Sequence, residues 1–197
     1  NVALAQKYQD HMHKIDWSKS HWFWSRKLDG VRVLARVEKD GSIKFFSRKG
    51  KEFTTLGLVA KELKEQLVLR GTVLDGEMCI LNARDEEDYQ AMVSLIKRKD
   101  FTIGEDNLVR PMFKVFDILT LDEFDQGTST STLRQRMGCH FQNGTFHGMK
   151  TVSLLPLQVT RGERHVATLL DMAEDNNWEG IMLRNDVAYE GKRTKNL

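Results

Sequence analysis

The stretch Lys27-Leu28-Asp29-Gly30-Val31-Arg32-Val33-Leu34-Ala35-Arg36-Val37 carries most of what the chain reveals about its fold. Val31, Val33, Ala35 and Val37 alternate with Arg32, Leu34 and Arg36, the period of two of a half-buried strand. Upstream, the aromatic run His21-Trp22-Phe23-Trp24 also reads as strand. Lys27 therefore stands at a strand-to-turn junction, with Gly30 making the turn. An amine fixed there, with a carboxylate and a guanidinium on either side of the glycine, suits attack on a phosphate. Six residues are weak ground alone, because a charged hairpin tip has the same composition. The rest of the chain decides.

Beyond Val37, Lys39-Asp40-Gly41 supplies a turn and residues 43–47 return, a β-hairpin. Residues 57–70 place Leu58, Val59, Leu63, Leu67 and Val68 at helical spacing. Strands are expected over 72–81 and 112–120, and a helix over 86–99 with Met92, Leu95 and Ile96 inward. A polar loop then runs through Thr132, and a helix covers 132–141. Pro156 breaks a strand over 152–159, residues 164–175 read as helix and 180–184 as a short strand, and 4–13 give a weak helical signal. Hairpins, and strands between helices without regular βαβ alternation, favour an α+β domain with largely antiparallel sheets.

Composition narrows the class. At 197 residues, 40% of them hydrophobic and 29% charged, the chain has the composition of a soluble globular fold and is long enough for one sizeable domain or two small ones. Its apolar runs are far shorter than a membrane span, and no secretory signal opens it. Cys79 and Cys139 lack metal-type spacing and read as two reduced, packed thiols of an intracellular protein. The six histidines show no ligand pattern. A net charge of +2 does not mark a dedicated duplex binder, although Arg48-Lys49 with Lys51, Lys97-Arg98-Lys99 and Lys192-Arg193 with Lys195 are local basic clusters.

Three strands carry charge inside apolar runs. Asp75 and Glu77 share a face of Val73-Leu74-Asp75-Gly76-Glu77-Met78-Cys79-Ile80, Asp117 follows Phe116 in Phe113-Lys114-Val115-Phe116-Asp117-Ile118-Leu119, and Glu179-Gly180-Ile181-Met182-Leu183-Arg184 begins and ends charged. Burying a carboxylate without a partner costs several kcal/mol, so such residues are kept for a partner or a ligand. Each has an ordinary structural explanation by itself. Their occurrence in order, downstream of Lys27, does not.

Taken together these strings resemble the nucleotidyltransferase (adenylation) domain of ATP-dependent DNA ligases, in the covalent nucleotidyltransferase superfamily. Lys27-Leu28-Asp29-Gly30-Val31-Arg32 matches its nucleophile motif, and Ser47-Arg48-Lys49-Gly50 the next. Leu74-Asp75-Gly76-Glu77, Val115-Phe116-Asp117-Ile118-Leu119 and the Glu179–Arg184 string match the three that follow. The resemblance spans nearly the whole chain, residues 1–197 as one domain, and implies antiparallel sheets flanked by helices with a nucleotide cleft between them. It implies that Lys27 attacks the α-phosphate of ATP to give lysyl-AMP, that AMP passes to the 5′-phosphate of a nick, and that the 3′-hydroxyl seals the strand. A free lysine, with pKa ~10.4, must first be held in its neutral form.

By the same resemblance Glu77 contacts the ribose, Phe116 stacks on adenine, and Arg32 and Arg48 bind ribose or phosphate. Arg193 approaches the ATP phosphates, Asp29 shapes the site, and Glu179 with Glu77 holds Mg2+. The implied partners are ATP and nicked double-stranded DNA, with no membrane, for a monomer working inside the cell: in the cytoplasm of a bacterial or phage-infected cell, or in a nucleus. Two departures stand out. The family's closing Lys-x-Lys motif and its oligonucleotide-binding-fold domain are expected beyond Leu197, so this stretch alone is expected to react slowly with ATP or not at all. Ser25 also replaces the acidic or amide residue that reads the adenine amino group in many relatives, leaving that task to backbone groups.

Rival readings are an mRNA-capping guanylyltransferase or an RNA ligase, which share the lysine chemistry, and a non-catalytic nucleic-acid-binding domain. The Glu-Gly-Ile-Met-Leu-Arg string and Arg32 favour the DNA enzymes, and the presence of both Lys27 and Glu77 argues against lost chemistry.

Overall fold

The computed structural model describes residues 1–197, which divide into two compact units. In chain order the elements are α1 (Tyr8–His11), β1 (Trp22–Arg26), β2 (Val31–Val37), β3 (Ile43–Ser47), β4 (Glu52–Phe53), α2 (Gly57–Lys64), β5 (Thr72–Leu81) and α3 (Tyr89–Leu95). There follow β6 (Arg110–Thr120), α4 (Leu121–Gln126), β7 (Thr128–Thr132), α5 (Leu133–Gln142), β8 (Val152–Leu154), β9 (Gln158–Val159), α6 (Glu163–Asp175), β10 (Ile181–Asn185) and β11 (Ala188–Glu190). The α+β class with largely antiparallel sheets is as the sequence implied.

The first unit comprises residues 1–28, 123–136 and 156–197. Its three-stranded sheet has the order β10-β1-β9, all antiparallel, and β7 pairs with β11. Trp22, Val166 and Leu183 are buried together, with Tyr8, Ile15, Trp17, Trp24 and Ile181 packed against them. The aromatic strand β1 thus seals the contact with helix α6.

The second unit comprises residues 29–122 and 137–155. Its six-stranded sheet has the order β4-β3-β2-β5-β6-β8, antiparallel except for the β6–β8 pair. Val33, Ala35 and Val37 of β2 are buried, as the alternation requires, and Leu34 is buried as well. The central strand β5 is buried along almost its whole length. Gly76 lets β6 approach: a Cβ there would lie 2.5 Å from the Lys114 carbonyl oxygen. Between Asp75 and Gly76 the β5–β6 register shifts, Asp75 facing Asp117 and Gly76 facing Val115, so Phe116 is the inserted residue of a bulge.

Several local expectations change. Helix α2 stops at Lys64, and a separate 3-10 turn over Leu67–Leu69 buries Leu69 instead of Leu67 and Val68, which are 67% and 56% exposed. The 86–99 helix is only Tyr89–Leu95, begun by Asp88, whose side chain accepts the Ala91 N–H. The weak 4–13 signal resolves into α1 and a short 3-10 turn over Met12–Lys14. The polar loop through Thr132 contains α4 and β7; the latter is Thr-Ser-Thr-Ser-Thr, whose β-branched threonines suit a strand once β11 pairs with it. Pro156 separates β8 and β9, which belong to different sheets. No disulfide joins the two cysteines; Cys79 is buried as expected, but Cys139 is exposed, not packed. No helix is long and apolar enough to cross a membrane.

Candidate active site

In the first unit, the β1–β10 register runs Trp22 against Asn185 to Arg26 against Ile181. One step further, the Lys27 N–H donates to the Gly180 carbonyl at 2.9 Å, which sets Lys27 beside Glu179. Lys27 Nζ lies 2.5 Å from Glu179 Oε1, and both side chains are about half exposed. The glutamate is aimed by the end of α6. Asn177, in the left-handed region at φ 56°, terminates the helix, while the Trp178 N–H reaches back to the Ala173 carbonyl at 2.8 Å. Arg26 lies over the Trp178 ring, 5.6 Å from its centroid. Residues next to Lys27 and next to Glu179 are thereby tied together, a contact with no signature in the sequence.

Beside this pair is a cavity of about 490 Å³ lined by Gln6, Trp22, Lys27, Leu170, Glu179 and Ile181, among others. Arg193 lines it too, with Nη1 donating to the Ala5 carbonyl at 2.5 Å. The segment carrying Arg193 is held by Glu190, whose Oε1 accepts from Thr194 Oγ1 at 2.7 Å and Asn196 Nδ2 at 2.5 Å. These two hydrogen bonds hold the Glu190 carboxyl below its ordinary range.

In the second unit, Arg32 makes a two-pronged ion pair with Asp75: Nε to Oδ1 and Nη2 to Oδ2, each 2.6 Å. Its guanidinium also lies 4.9 Å from the Phe116 ring centroid. Glu77 sits opposite Arg32 on β2 and opposite Lys114 on β6. Lys114 Nζ is 3.7 Å from Glu87 Oε1, and Glu87 Oε2 accepts the Asp29 N–H at 3.0 Å. Arg48 is exposed in a tight turn closed by Ser47, whose N–H donates to the Lys51 carbonyl at 2.7 Å. Gly50, at φ 85°, makes that turn possible.

Of the residues singled out from the sequence, Lys27 and Glu179 are in contact, with Arg193 lining the same cavity; Arg32 and Phe116 are in contact, with Glu77 beside them in the sheet. Arg48 shares no contact with either group. Gln6, Arg26, Glu87, Lys114 and Trp178 escaped the sequence reading, since each acts through a neighbour far away in the chain.

Over residues 2–197 the chain matches the family described as the ATP dependent DNA ligase domain. It belongs to that family. It is 25% identical to DNA ligase 4 of Aspergillus oryzae over 218 residues, 93% of this chain and 21% of the relative. It is 27% identical to DNA ligase 4 of Saccharomyces cerevisiae over 170 residues, 80% of this chain and 18% of the relative. Among solved structures, Pmar-Lig_PreS3 superposes with a TM-score of 0.81 at 26% identity, covering 99% of this chain and 45% of that one. The ATP-dependent DNA ligase of bacteriophage T7, solved in complex with ATP, shares the fold: TM-score 0.76 at 16% identity, covering 98% of this chain and 66% of that one. The chain thus spans about a fifth of the length of these curated relatives.

No group of three or more His, Cys, Asp or Glu side chains forms a cage for a metal. Mg2+ does not need one, since it is commonly held by one or two carboxylates together with substrate phosphates. Glu179, half exposed and already facing a cation in Lys27, fits that donor set.

Proposed function

We propose that this chain is the adenylating part of an ATP-dependent DNA ligase, with Lys27 as the nucleophile. The observation that carries the reading is the Lys27–Glu179 contact at the wall of a cavity. Lys27 Nζ, in its amine form, attacks the α-phosphorus of ATP. An N–P bond forms, the bond to the bridging oxygen breaks, and pyrophosphate leaves with the electron pair. Glu179 Oε1, 2.5 Å from Nζ, orients the nitrogen, which gives up a proton to solvent as the N–P bond forms. Mg2+, held by Glu179 together with the ATP phosphates, would neutralise charge on those phosphates. AMP then passes from Lys27 to a 5′-phosphate, and a 3′-hydroxyl displaces it to form the phosphodiester bond.

The remaining roles follow the family pattern. Arg32 serves the ribose or phosphate and Glu77 the ribose, Phe116 stacks on the purine, and Asp29 shapes the turn after the nucleophile. The Asp75 ion pair and the Phe116 ring fix Arg32 in place, which supports a positioned ligand contact. Arg48, free of close partners at its turn, suits phosphate or the nick, and Arg193 suits the ATP phosphates once it leaves Ala5. The other partner is nicked duplex DNA, bound by a monomer inside the cell through backbone contacts with little base reading. Such binding weakens steeply with salt, and salt-insensitive binding would count against it.

Intact-mass spectrometry of the chain with ATP or GTP and Mg2+, alongside Lys27→Ala, tests the proposal. A slowly formed AMP-sized adduct mapped to Lys27 and absent from the variant is expected, while ATP binding without an adduct would place the missing help in the family's Lys-x-Lys motif. A GMP adduct would favour capping chemistry, and the absence of both adduct and nucleotide binding would refute the enzymatic reading.

A further inference from the structure

In the second unit a row of charges crosses the six-stranded sheet. The register sets Arg32 of β2 opposite Glu77 of β5, and Glu77 opposite Lys114 of β6, so the three side chains share a face with the acid between two cations. Side chains directly opposite on antiparallel strands have their Cβ atoms about 4.5–5.5 Å apart. Arg32 is fixed by its two hydrogen bonds to Asp75. Lys114, on a flexible four-carbon stem, has two carboxylates within reach, Glu77 across the ladder and Glu87. Its ammonium goes to Glu87, 3.7 Å from Oε1.

Glu87 is held on every side. Its side chain is 6% exposed, against 27% for Lys114. The Asn82 side-chain oxygen accepts the Arg84 N–H at 2.8 Å and the Glu86 N–H at 3.1 Å, while the Asn82 N–H donates to the Glu86 carbonyl at 2.9 Å. That turn reverses the chain and lays Glu87 back against Leu81 at the end of β5, and the Asp88 N–H closes onto the Ile80 carbonyl at 2.9 Å. The other carboxyl oxygen, Oε2, accepts the Asp29 N–H at 3.0 Å. With its backbone and one oxygen set, the carboxylate presents Oε1 in one direction only, and a buried anion so placed needs a cation beside it.

We infer that Glu87 is a positioning residue for sugar recognition: it holds the Lys114 ammonium away from Glu77, so that the ammonium does not compete with the ribose hydroxyls for the Glu77 carboxylate. The inference rests on the adenylation reading above and on the role it gives Glu77. Without the Glu87 charge, the ammonium crosses to the next acid in its row and pairs with Glu77. Glu87→Gln creates that state with little else disturbed. The amide oxygen keeps the Asp29 N–H, and the NH2 group that replaces Oε1 turns a donor toward the ammonium.

The test is calorimetric binding of ATP, 2′-deoxyATP and 3′-deoxyATP, read as the Kd of the weaker deoxy analogue divided by that of ATP, with Lys27 adduct recorded by mass on the same samples. A hydroxyl donating to a carboxylate makes that ratio about tenfold in the wild-type chain, and Glu77→Ala brings it to about one. Glu87→Gln is expected to lower it about threefold, the strength of a partly exposed ion pair between Lys114 and Glu77. Adding Lys114→Met to Glu87→Gln restores the wild-type ratio, because no ammonium remains to reach Glu77; a purely structural Glu87 would not be rescued by a second loss beside it. A wild-type ratio in Glu87→Gln, or a lowered one that Lys114→Met does not restore, overturns the inference and leaves the Glu77 role standing. Should Glu87→Gln not fold, Lys114→Met alone decides: it keeps the wild-type ratio, and a fall to the Glu77→Ala value overturns the inference. A ratio that Glu77→Ala does not change overturns the ribose role of Glu77, and a wild-type chain that neither binds ATP nor forms adduct overturns the adenylation reading; either takes this inference with it.

Discussion

Asp75→Asn isolates the ion pair that fixes Arg32. Asp75 is 1% exposed and Arg32 18%, with two 2.6 Å hydrogen bonds between them, so neither charge is well hydrated. The amide keeps the shape but removes the countercharge and turns an N–H toward the guanidinium. Breaking a buried pair on one side costs about 3–5 kcal/mol. Arg32 keeps its place over Phe116 and some exposure to water, which sets the expected loss at the lower end, about 3 kcal/mol. For a chain of this length that is a fall in Tm of roughly 6–12 °C. Chemical denaturation of Asp75→Asn, Arg32→Met and the double variant, followed by circular dichroism, completes a double-mutant cycle. The double variant should cost less than the sum of the singles by at least about 2 kcal/mol, because it leaves no orphaned charge. A coupling below about 0.5 kcal/mol, the range of a solvated surface pair, would refute the reasoning.

Gly30→Ala should prevent folding or cost more than about 3 kcal/mol, because its Cβ would be driven into the Met78 carbonyl on the neighbouring strand; soluble expression with a wild-type Tm would contradict this. Glu62 gives a pH dependence. Burial alone would raise its carboxyl, but hydrogen bonds from the Thr151 hydroxyl and the Lys150 and Thr151 N–H groups outweigh it and hold it below its ordinary 4.5. Its contribution to stability is therefore present above pH 4.5 and is lost as pH falls through the lowered value, so the gap between wild type and Glu62→Gln should shrink on acidification; a constant gap in denaturation between pH 7 and pH 3 would disprove it. Leu63→Ala should cost about 2–5 kcal/mol and Leu67→Ser less than about 0.5, and equal effects would restore the continuous helix over 57–70. Trp178→Ala should slow Lys27 adenylation at least about tenfold with nucleotide affinity little changed, since it loosens the turn that aims Glu179; a loss in affinity alone would assign Trp178 to binding.

The elements that sequence alone places well are those whose burial is periodic and local. Strand β2 alternates because one face meets a core, and α6 begins and ends within a residue of its apolar pattern. Strand β7 and the end of α2 were missed for a shared reason: what stabilises them lies elsewhere in the chain. Five serines and threonines form β7 because β11, more than fifty residues later, supplies the ladder. Leu69 takes the inward place that spacing gives to Leu67 because the helix stops at Lys64 and a 3-10 turn resets the phase.

The candidate site divides in the same way. Lys27 and Glu179 are legible because the proposed chemistry calls for an amine and a carboxylate at the ends of strands, and a strand end leaves a local trace of glycine and charge. Glu87 and Trp178 leave none. Each works by orienting something else: a carboxylate on the Asp29 N–H, a ring under Arg26. Their side chains are ordinary, and only their partners give them meaning. Motif residues therefore specify which reaction the site supports, while the residues that aim them are fixed by packing and escape any pattern read along the chain. A variant that retains every motif residue and loses Trp178 should still look like a ligase domain in sequence while holding Lys27 and Glu179 together less well, which is why that position separates the reading of the family from the reading of this chain.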